Sequence, residues 1–176
     1  DRNGYCTYSA WDEQGREWKF QKDVSIAGID SEKCEMVTPI LNYSDIETLQ
    51  ELVRILRKAG AKSDSTRGCG VHIHIGAKGH TAKTLRNLAN IMASHEQLLI
   101  DALNLDEVRI RRYCKTVDPR FLEQVNRTKP ETMSQLADVW YKSHDENYGR
   151  SHHYNGSRYH MLNLHATFTK GTVEFR

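Results

Sequence analysis

Apolar and polar positions alternate with a period of two through residues 68–76, Gly-Cys-Gly-Val-His-Ile-His-Ile-Gly, and that alternation predicts a β-strand. Val71, Ile73 and Ile75 would leave one face of it, His72 and His74 the other. The aliphatic face can rest on a core while the imidazoles line a cleft. Residues 171–176, Gly-Thr-Val-Glu-Phe-Arg, repeat the pattern, with Thr172, Glu174 and Arg176 in front and Val173 and Phe175 behind. If the two strands share a sheet, its front collects two histidines, a glutamate and an arginine. Such a set suits a divalent cation next to a phosphate. The competing reading is two half-exposed strands whose polar faces are only solvated.

Other stretches complete the outline. Residues 17–20, with Trp18, read as a strand followed by 23–26. Residues 33–41 read as a strand stopped by Pro39, which cannot donate to a ladder, with Glu35 inside it. Ser44 and Glu47 form a capping box for a helix over 44–60, whose stripe is Ile46, Leu49, Leu52, Val53 and Leu56, with Gly60 as its stop. Thr81 is the expected N-cap of a longer helix, 81–103, carrying Leu85, Leu88, Ala89, Met92, Leu99, Ala102 and Leu103. His95 and Glu96 within it read as a satisfied polar pair. Residues 107–118 form a basic turn with Arg109, Arg111, Arg112, Tyr113 and Lys115, a solvated edge or an anion-binding one. Short helices follow at 121–125 and 133–141, then a long mobile loop at 142–157, and a hairpin of 166–169 with 172–176 turning at Lys170-Gly171. Strands and helices interleave without a βαβ rhythm. The expected fold is therefore α+β, with a largely antiparallel sheet that carries Glu35, His72 and Glu174 on one face and both long helices on the other.

Composition narrows the role more than it defines it. The 176 residues suffice for one domain, and 25 Lys and Arg against 23 Asp and Glu leave a net charge of +2. That balance supports neither a nucleic-acid nor a membrane-surface role. No apolar run is long enough to span a bilayer. The four cysteines, Cys6, Cys34, Cys69 and Cys114, make no CxxC pair and read as reduced thiols of a cytoplasmic protein. With no initial methionine and a last strand that stops at Arg176, the chain is expected to be a piece of a longer one, truncated at both ends.

Four stretches in order, CEMVTPIL, GCGVHIHIG, RYHMLNL and GTVEFR, resemble the amidoligase family, which belongs with glutamine synthetase and glutamate–cysteine ligase among carboxylate–amine ligases. WKF…DVSI and RRYCK add to the likeness, which spans roughly residues 16–176. Val24 departs from the pattern where glycine is common. A first strand bearing an acidic pair and a helix after the last strand are missing from it. The resemblance implies a glutamine-synthetase-like catalytic domain that joins a carboxylate to an amine at the expense of ATP through an acyl phosphate, with Mg²⁺ or Mn²⁺. It implies Glu35, His72 and Glu174 as metal ligands, His74 near the nucleotide, Arg158 on the phosphates and Arg176 on the transferred phosphoryl group. Arg112, Tyr113 and Lys115 are candidates for the substrate, an amino acid or peptide.

Two rival functions remain open at this level. A metal-dependent hydrolase or a cupin can also begin from HxH, but the cupin's following glutamate falls at Lys78 here, and an amidohydrolase barrel needs ~250 residues. A non-catalytic domain of the same fold, binding a nucleotide or peptide, is the other.

Overall fold

The computed structural model describes residues 7–176; Cys6 lies outside the described residues. The chain divides into two compact units, residues 1–70 and 71–176.

The first unit is a three-stranded antiparallel sheet and a helix. Strands β1 (Thr7–Trp11) and β2 (Glu17–Gln21) form a hairpin, and β3 (Glu35–Val37) pairs with the other edge of β2. Asp12 builds the hairpin turn by accepting the backbone N–H groups of Gln14 and Arg16 at 3.0 and 2.9 Å. Trp18 is buried, with its indole N–H donated to Asp12 at 3.1 Å. Arg16 sets its guanidinium fork on Asp45 at 2.8 and 3.0 Å, tying the turn to the start of α1 (Ile46–Lys58). The expected capping box is displaced. Asp45, not Glu47, reaches back, accepting the N–H of Asn42 at 2.7 Å, because a 3₁₀ turn at Tyr43–Asp45 precedes the helix. Leu49, Leu52 and Leu56 are half-buried, while Ile46 and Val53 stay exposed.

The second unit holds the larger core. Helix α2 (Ala82–Leu103) is capped by Thr81, whose hydroxyl accepts the Thr84 N–H at 3.3 Å. It buries Ala82, Leu85, Ala89 and Met92, a stripe at the helical repeat. Against these lie Phe121 and Val125 of α4 (Pro119–Thr128), Leu136 and Trp140 of α5 (Met133–Ser143), and Leu162, Leu164 and Val173. Each large apolar side chain so buried contributes about 1.5–3 kcal/mol. Phe121 meets Trp140 edge to face with ring centres 4.9 Å apart, and the side-chain amides of Asn90 and Asn126 bond reciprocally at 3.0 and 2.8 Å between α2 and α4. Glu96 is satisfied by the backbone N–H of Val117 at 2.5 Å, while His95 turns back to the Ile91 carbonyl. The expected pair is thus two separately satisfied groups.

Strands β4 (Ile73–Gly76), β6 (Thr172–Phe175) and β5 (Leu162–Asn163) form a second antiparallel sheet in that spatial order. The single sheet expected from the sequence is therefore two. Glu35 lies on β3, paired to β2, and not in the sheet of His74 and Glu174. Alternation fixes which side chains share a face, but it carries no information about which strands pair.

Three further differences follow from tertiary context. Residues 166–169 are not a hairpin arm but part of the short helix α6 (His165–Lys170), closed by Gly171 at φ 72°, a conformation that costs glycine little. The threonines there suggest a strand, but propensity yields to packing. The basic turn contains a helix, α3 (Glu107–Arg112), capped by Asp106. The stretch expected to be mobile, 142–157, is tied down: Asn155 donates to the carbonyls of Glu146 and Gly149, and the Tyr141 hydroxyl donates to that of Arg150. Cover of the second sheet is also uneven. Val173 of β6 is buried in the α2 core, yet Val71, Ile73 and Ile75 are exposed. Among the described residues no helix is long and apolar enough to cross a membrane, and Cys34, Cys69 and Cys114 are free thiols.

Candidate active site

Register across the second sheet places the chemistry. His74 is opposite Glu174, and Glu174 is opposite Asn163, so three polar side chains cross β4, β6 and β5 in one row. The rows on either side are apolar: Ile73 with Phe175 and Leu162, and Ile75 with Val173. Their side chains emerge from the opposite face of the sheet.

Glu174 is the centre and is buried, 2% exposed. Its two oxygens do different things. Oε2 accepts the Asn163 amide N–H at 2.6 Å. Oε1 faces His72 Nδ1 at 3.9 Å, His74 Nε2 at 3.8 Å and Arg176 Nη1 at 3.4 Å. These are charge contacts longer than hydrogen bonds. His74 is aimed by its other nitrogen, Nδ1, which lies 2.8 Å from the Thr172 hydroxyl. The sequence-derived grouping of His72, His74, Glu174 and Arg176 on one face is thus what the structure contains.

Both imidazoles are held neutral. Burial, then the positive charges of Arg176, Arg109 and Arg158, push His72 down to about 4 against the opposing pull of Glu174. His74 is lowered by burial first, with Lys170, Arg176 and Arg158 acting in the same sense. Neutral rings offer lone pairs. Arg176 is buried as well; burial and the nearby Arg158 and Arg109 lower its pKa while Glu174 opposes them. Its backbone N–H donates to Met161, but its Nε and Nη1 are buried without a hydrogen-bond partner. Buried donors of a charged group are normally paired, so this fork has capacity for an oxyanion.

An aromatic ring holds the cations in place. Tyr159 lies under Arg176 at 5.4 Å and Arg158 at 5.6 Å from its centre, and the ring of Tyr113 meets it edge-on at 6.3 Å. Arg109 lies over Tyr113 at 5.8 Å. Arg158 also donates to the His153 carbonyl at 2.8 Å. Of the basic segment's candidates, Tyr113 thus reaches the site through Tyr159, and Lys115 pairs by its backbone with Tyr159 and Met161. Arg112 is exposed. Glu35, in the first unit, accepts a hydrogen bond from Gln21 at 3.0 Å.

The sequence reading missed Asn163 and Tyr159; it put Thr172 on the front face without a role and left Arg109 among the residues of a basic turn, solvated or anion-binding. A signal existed for Asn163, a lone amide within the apolar run Met161-Leu162-Asn163-Leu164. Nothing singled out Arg109 among the arginines of that turn. Among the described residues, no group of three or more His, Cys, Asp or Glu side chains is spaced to hold a metal ion.

The arrangement is therefore a buried carboxylate with one oxygen anchored and the other turned to two neutral imidazoles and a guanidinium, on a face where cations outnumber acids. No curated protein and no solved structure matches the chain. A family model described as "Putative amidoligase enzyme" matches residues 1–176, the entire sequence, so this chain belongs to the amidoligase family.

Proposed function

We propose that the protein is an ATP-dependent ligase that joins a carboxylate to an amine. The observation that carries this reading is a fixed, buried carboxylate, Glu174, beside a buried Arg176 guanidinium whose Nε and Nη1 make no hydrogen bond. Membership of the amidoligase family supports ligase chemistry in general.

The donor set fits a divalent ion bound together with phosphate. Mg²⁺ is usually held by one or two carboxylates, with phosphate oxygens and water completing its shell, and not by a protein cage. Glu174 Oε1 and the neutral His72 would supply the protein ligands here. When bound, the ion would neutralise charge on the phosphates and make the γ-phosphorus a better electrophile.

The chain's own residues do the rest. Asn163 keeps Oε2 occupied, so Oε1 stays directed at the site. His74, fixed by Thr172, presents its ring beside the nucleotide. Arg158, held against Tyr159, and Arg176 offer planar forks to phosphoryl oxygens, and the free N–H groups of Arg176 strengthen their bonds as negative charge grows during transfer. In the reaction proposed, a substrate carboxylate oxygen bonds to the γ-phosphorus as ADP leaves. The amine nitrogen then attacks the carbonyl carbon, phosphate departs and the nitrogen loses its proton. Tyr113 and Lys115, which meet Tyr159 beside the arginines, and Arg112 on the same segment remain the candidates for holding an amino-acid or peptide substrate.

The test is ATP turnover by the full-length protein over a panel of amino acids and short peptides, with Mg²⁺ or Mn²⁺ varied. Glu174→Gln should move the metal dependence to higher concentration. Arg176→Lys should lower turnover by ~10²–10³ with little change in nucleotide binding. Unaltered activity in both variants would remove this site from the reaction.

A further inference from the structure

The segment between α5 and β5 sets an aromatic ring beside the row of Glu174, and the ligase reading gives that ring no task. Tyr154 is 66% exposed. Its neighbour His153 lines one small cleft together with Arg158, Asn163 and Glu174, so this part of the segment borders the site. A single exposed tyrosine is ordinary; what sets this one apart is its frame.

The ring is exposed and yet held. The Tyr154 N–H donates to His152 Nδ1 at 3.2 Å. The next residue, Asn155, is buried and ties the backbone to the carbonyls of Glu146 and Gly149. His153 meets the Tyr154 ring edge to face with ring centres 4.7 Å apart, and the His152 ring lies at 6.1 Å. The Arg158 guanidinium lies over the ring at 5.6 Å and is fixed in turn by donating to the His153 carbonyl at 2.8 Å. A surface already ordered in this way spares a ligand part of the entropy cost of binding. Arg158 covers one face, and the exposure leaves the ring open elsewhere.

Arg158 decides what kind of ligand fits. It lies 5.6 Å from the centres of both Tyr154 and Tyr159, and Tyr159 also lies under Arg176 at 5.4 Å. From the carboxylate outward the order is Glu174, Arg176, Tyr159, Arg158, Tyr154. An anion held by the two arginines therefore ends one guanidinium away from an open aromatic surface. A nucleotide has that build, with phosphates at one end and a flat base separated from the first of them by a ribose. Bases stack on aromatic side chains whatever their identity, because each has a π-face.

The geometry points to Tyr154 as the platform on which the base of a nucleotide stacks while Arg158 and Arg176 hold its phosphates. The inference rests on the ligase reading for the nucleotide and adds to it a subsite for the base. Tyr154 alone reads a flat ring and not its hydrogen-bonding edge, so it favours a nucleotide over bare phosphates without choosing among bases.

The experiment is isothermal titration calorimetry of the full-length protein in Mg²⁺ with AMP-PNP, which carries a base, and with tripolyphosphate, which carries none. Wild type is compared with Tyr154→Ala, Tyr154→Phe and Tyr148→Ala, the last a change at another exposed tyrosine of the segment. Tyr154→Ala should weaken AMP-PNP about tenfold or more and leave tripolyphosphate unchanged. Tyr154→Phe and Tyr148→Ala should leave both unchanged. Equal weakening of the two ligands by Tyr154→Ala would mean that the ring only braces Arg158, and overturns the platform. Undiminished AMP-PNP binding in Tyr154→Ala, or no AMP-PNP binding by wild type, overturns it as well. The ligase reading is tested separately, by turnover. Tyr154-dependent AMP-PNP affinity in a protein that never turns over ATP counts against the ligase reading alone. ATP turnover with AMP-PNP affinity indifferent to Tyr154 counts against the platform alone.

Discussion

Replacing Asn163 with alanine tests the feature on which the site geometry depends. Its amide is the hydrogen-bond donor on Glu174 Oε2, at 2.6 Å, and both residues are almost wholly buried. A hydrogen bond to a charged group contributes about 1.5–3 kcal/mol, against about 0.5–1.5 for a neutral pair. Asn163→Ala also strips the Ala166 backbone N–H of the Oδ1 that accepts it at 3.3 Å, a longer and weaker bond that adds about 1 kcal/mol at most. The expected loss is about 3 kcal/mol, read as a lower urea midpoint with an unchanged denaturant slope. That loss could come from the cavity alone, so a double-mutant cycle with Glu174→Gln is needed. Glutamine keeps an acceptor oxygen but no charge, and the cycle isolates the charge-assisted part of the bond, about 1 kcal/mol. On the ligase activity proposed above, Asn163→Ala should also raise the metal concentration required for ATP turnover, since Oε1 is no longer held toward the site. Coupling below about 0.3 kcal/mol, within the additivity expected of independent sites, would refute the claim that Asn163 positions Glu174.

Two other outcomes concern the scaffold. His144 donates Nδ1–H to the Trp140 carbonyl at 2.6 Å, its Nε2 is buried without a partner, and burial first, then His160, pushes it down to about 4. Because the folded ring resists a proton that the unfolded ring binds near 6.5, stability should be full above pH 7 and fall as pH drops from 6.5 to 4, by about 3 kcal/mol at 1.36 kcal/mol per unit. Urea melts at pH 7.5 and 4.5 should show this, and a His144→Gln variant with the same pH slope as wild type would exclude His144 as the source. Glu96→Ala should cost about 2 kcal/mol by orphaning the Val117 N–H, whereas Glu96→Gln, which retains an acceptor, should cost less than half of that by thermal or urea unfolding; equal losses would mean that the packing, not the bond, matters.

The electrostatics explain why the site is built on a sheet face. A carboxylate at 2% exposure is costly unless paired and hydrogen-bonded. Here the pairing comes from Asn163 on one adjacent strand, and from Arg176 two residues along the same strand. Tyr159 covers Arg158 and Arg176 together, so two like charges share one aromatic face beside the carboxylate of Glu174, which Arg176 meets at 3.4 Å.

The residues of β4 and β6 show what the chain alone decides. Side chains two apart on a strand must share a face, so His72 with His74, and Glu174 with Arg176, were legible from spacing. The N-cap at Thr81 and the stripe of α2 were legible for the same reason, as their geometry is local. Helix α6 and the capping box that Asp45 closes on the 3₁₀ turn before α1 were not: threonine favours strands and Ser44-x-x-Glu47 satisfies the capping pattern, but burial of residues 160–167 and the Arg16 fork on Asp45 outweigh preferences of a few tenths of a kcal/mol.

Which strand lies beside which was never in the sequence. Alternation is blind to pairing, so a single sheet containing Glu35 was as consistent with the pattern as the two sheets observed. Only the register of β4, β6 and β5 brings Asn163 opposite Glu174 and His74, residues separated by 11 and 100 positions in the chain. Likewise the sequence supplied a glutamate and an arginine two residues apart, but the fold decided that one Glu174 oxygen is fastened and the other open. The physical reason is range: side-chain direction follows from dihedral preferences at each residue, whereas pairing, burial and the field at Glu174 are sums over groups that meet only when the chain has folded.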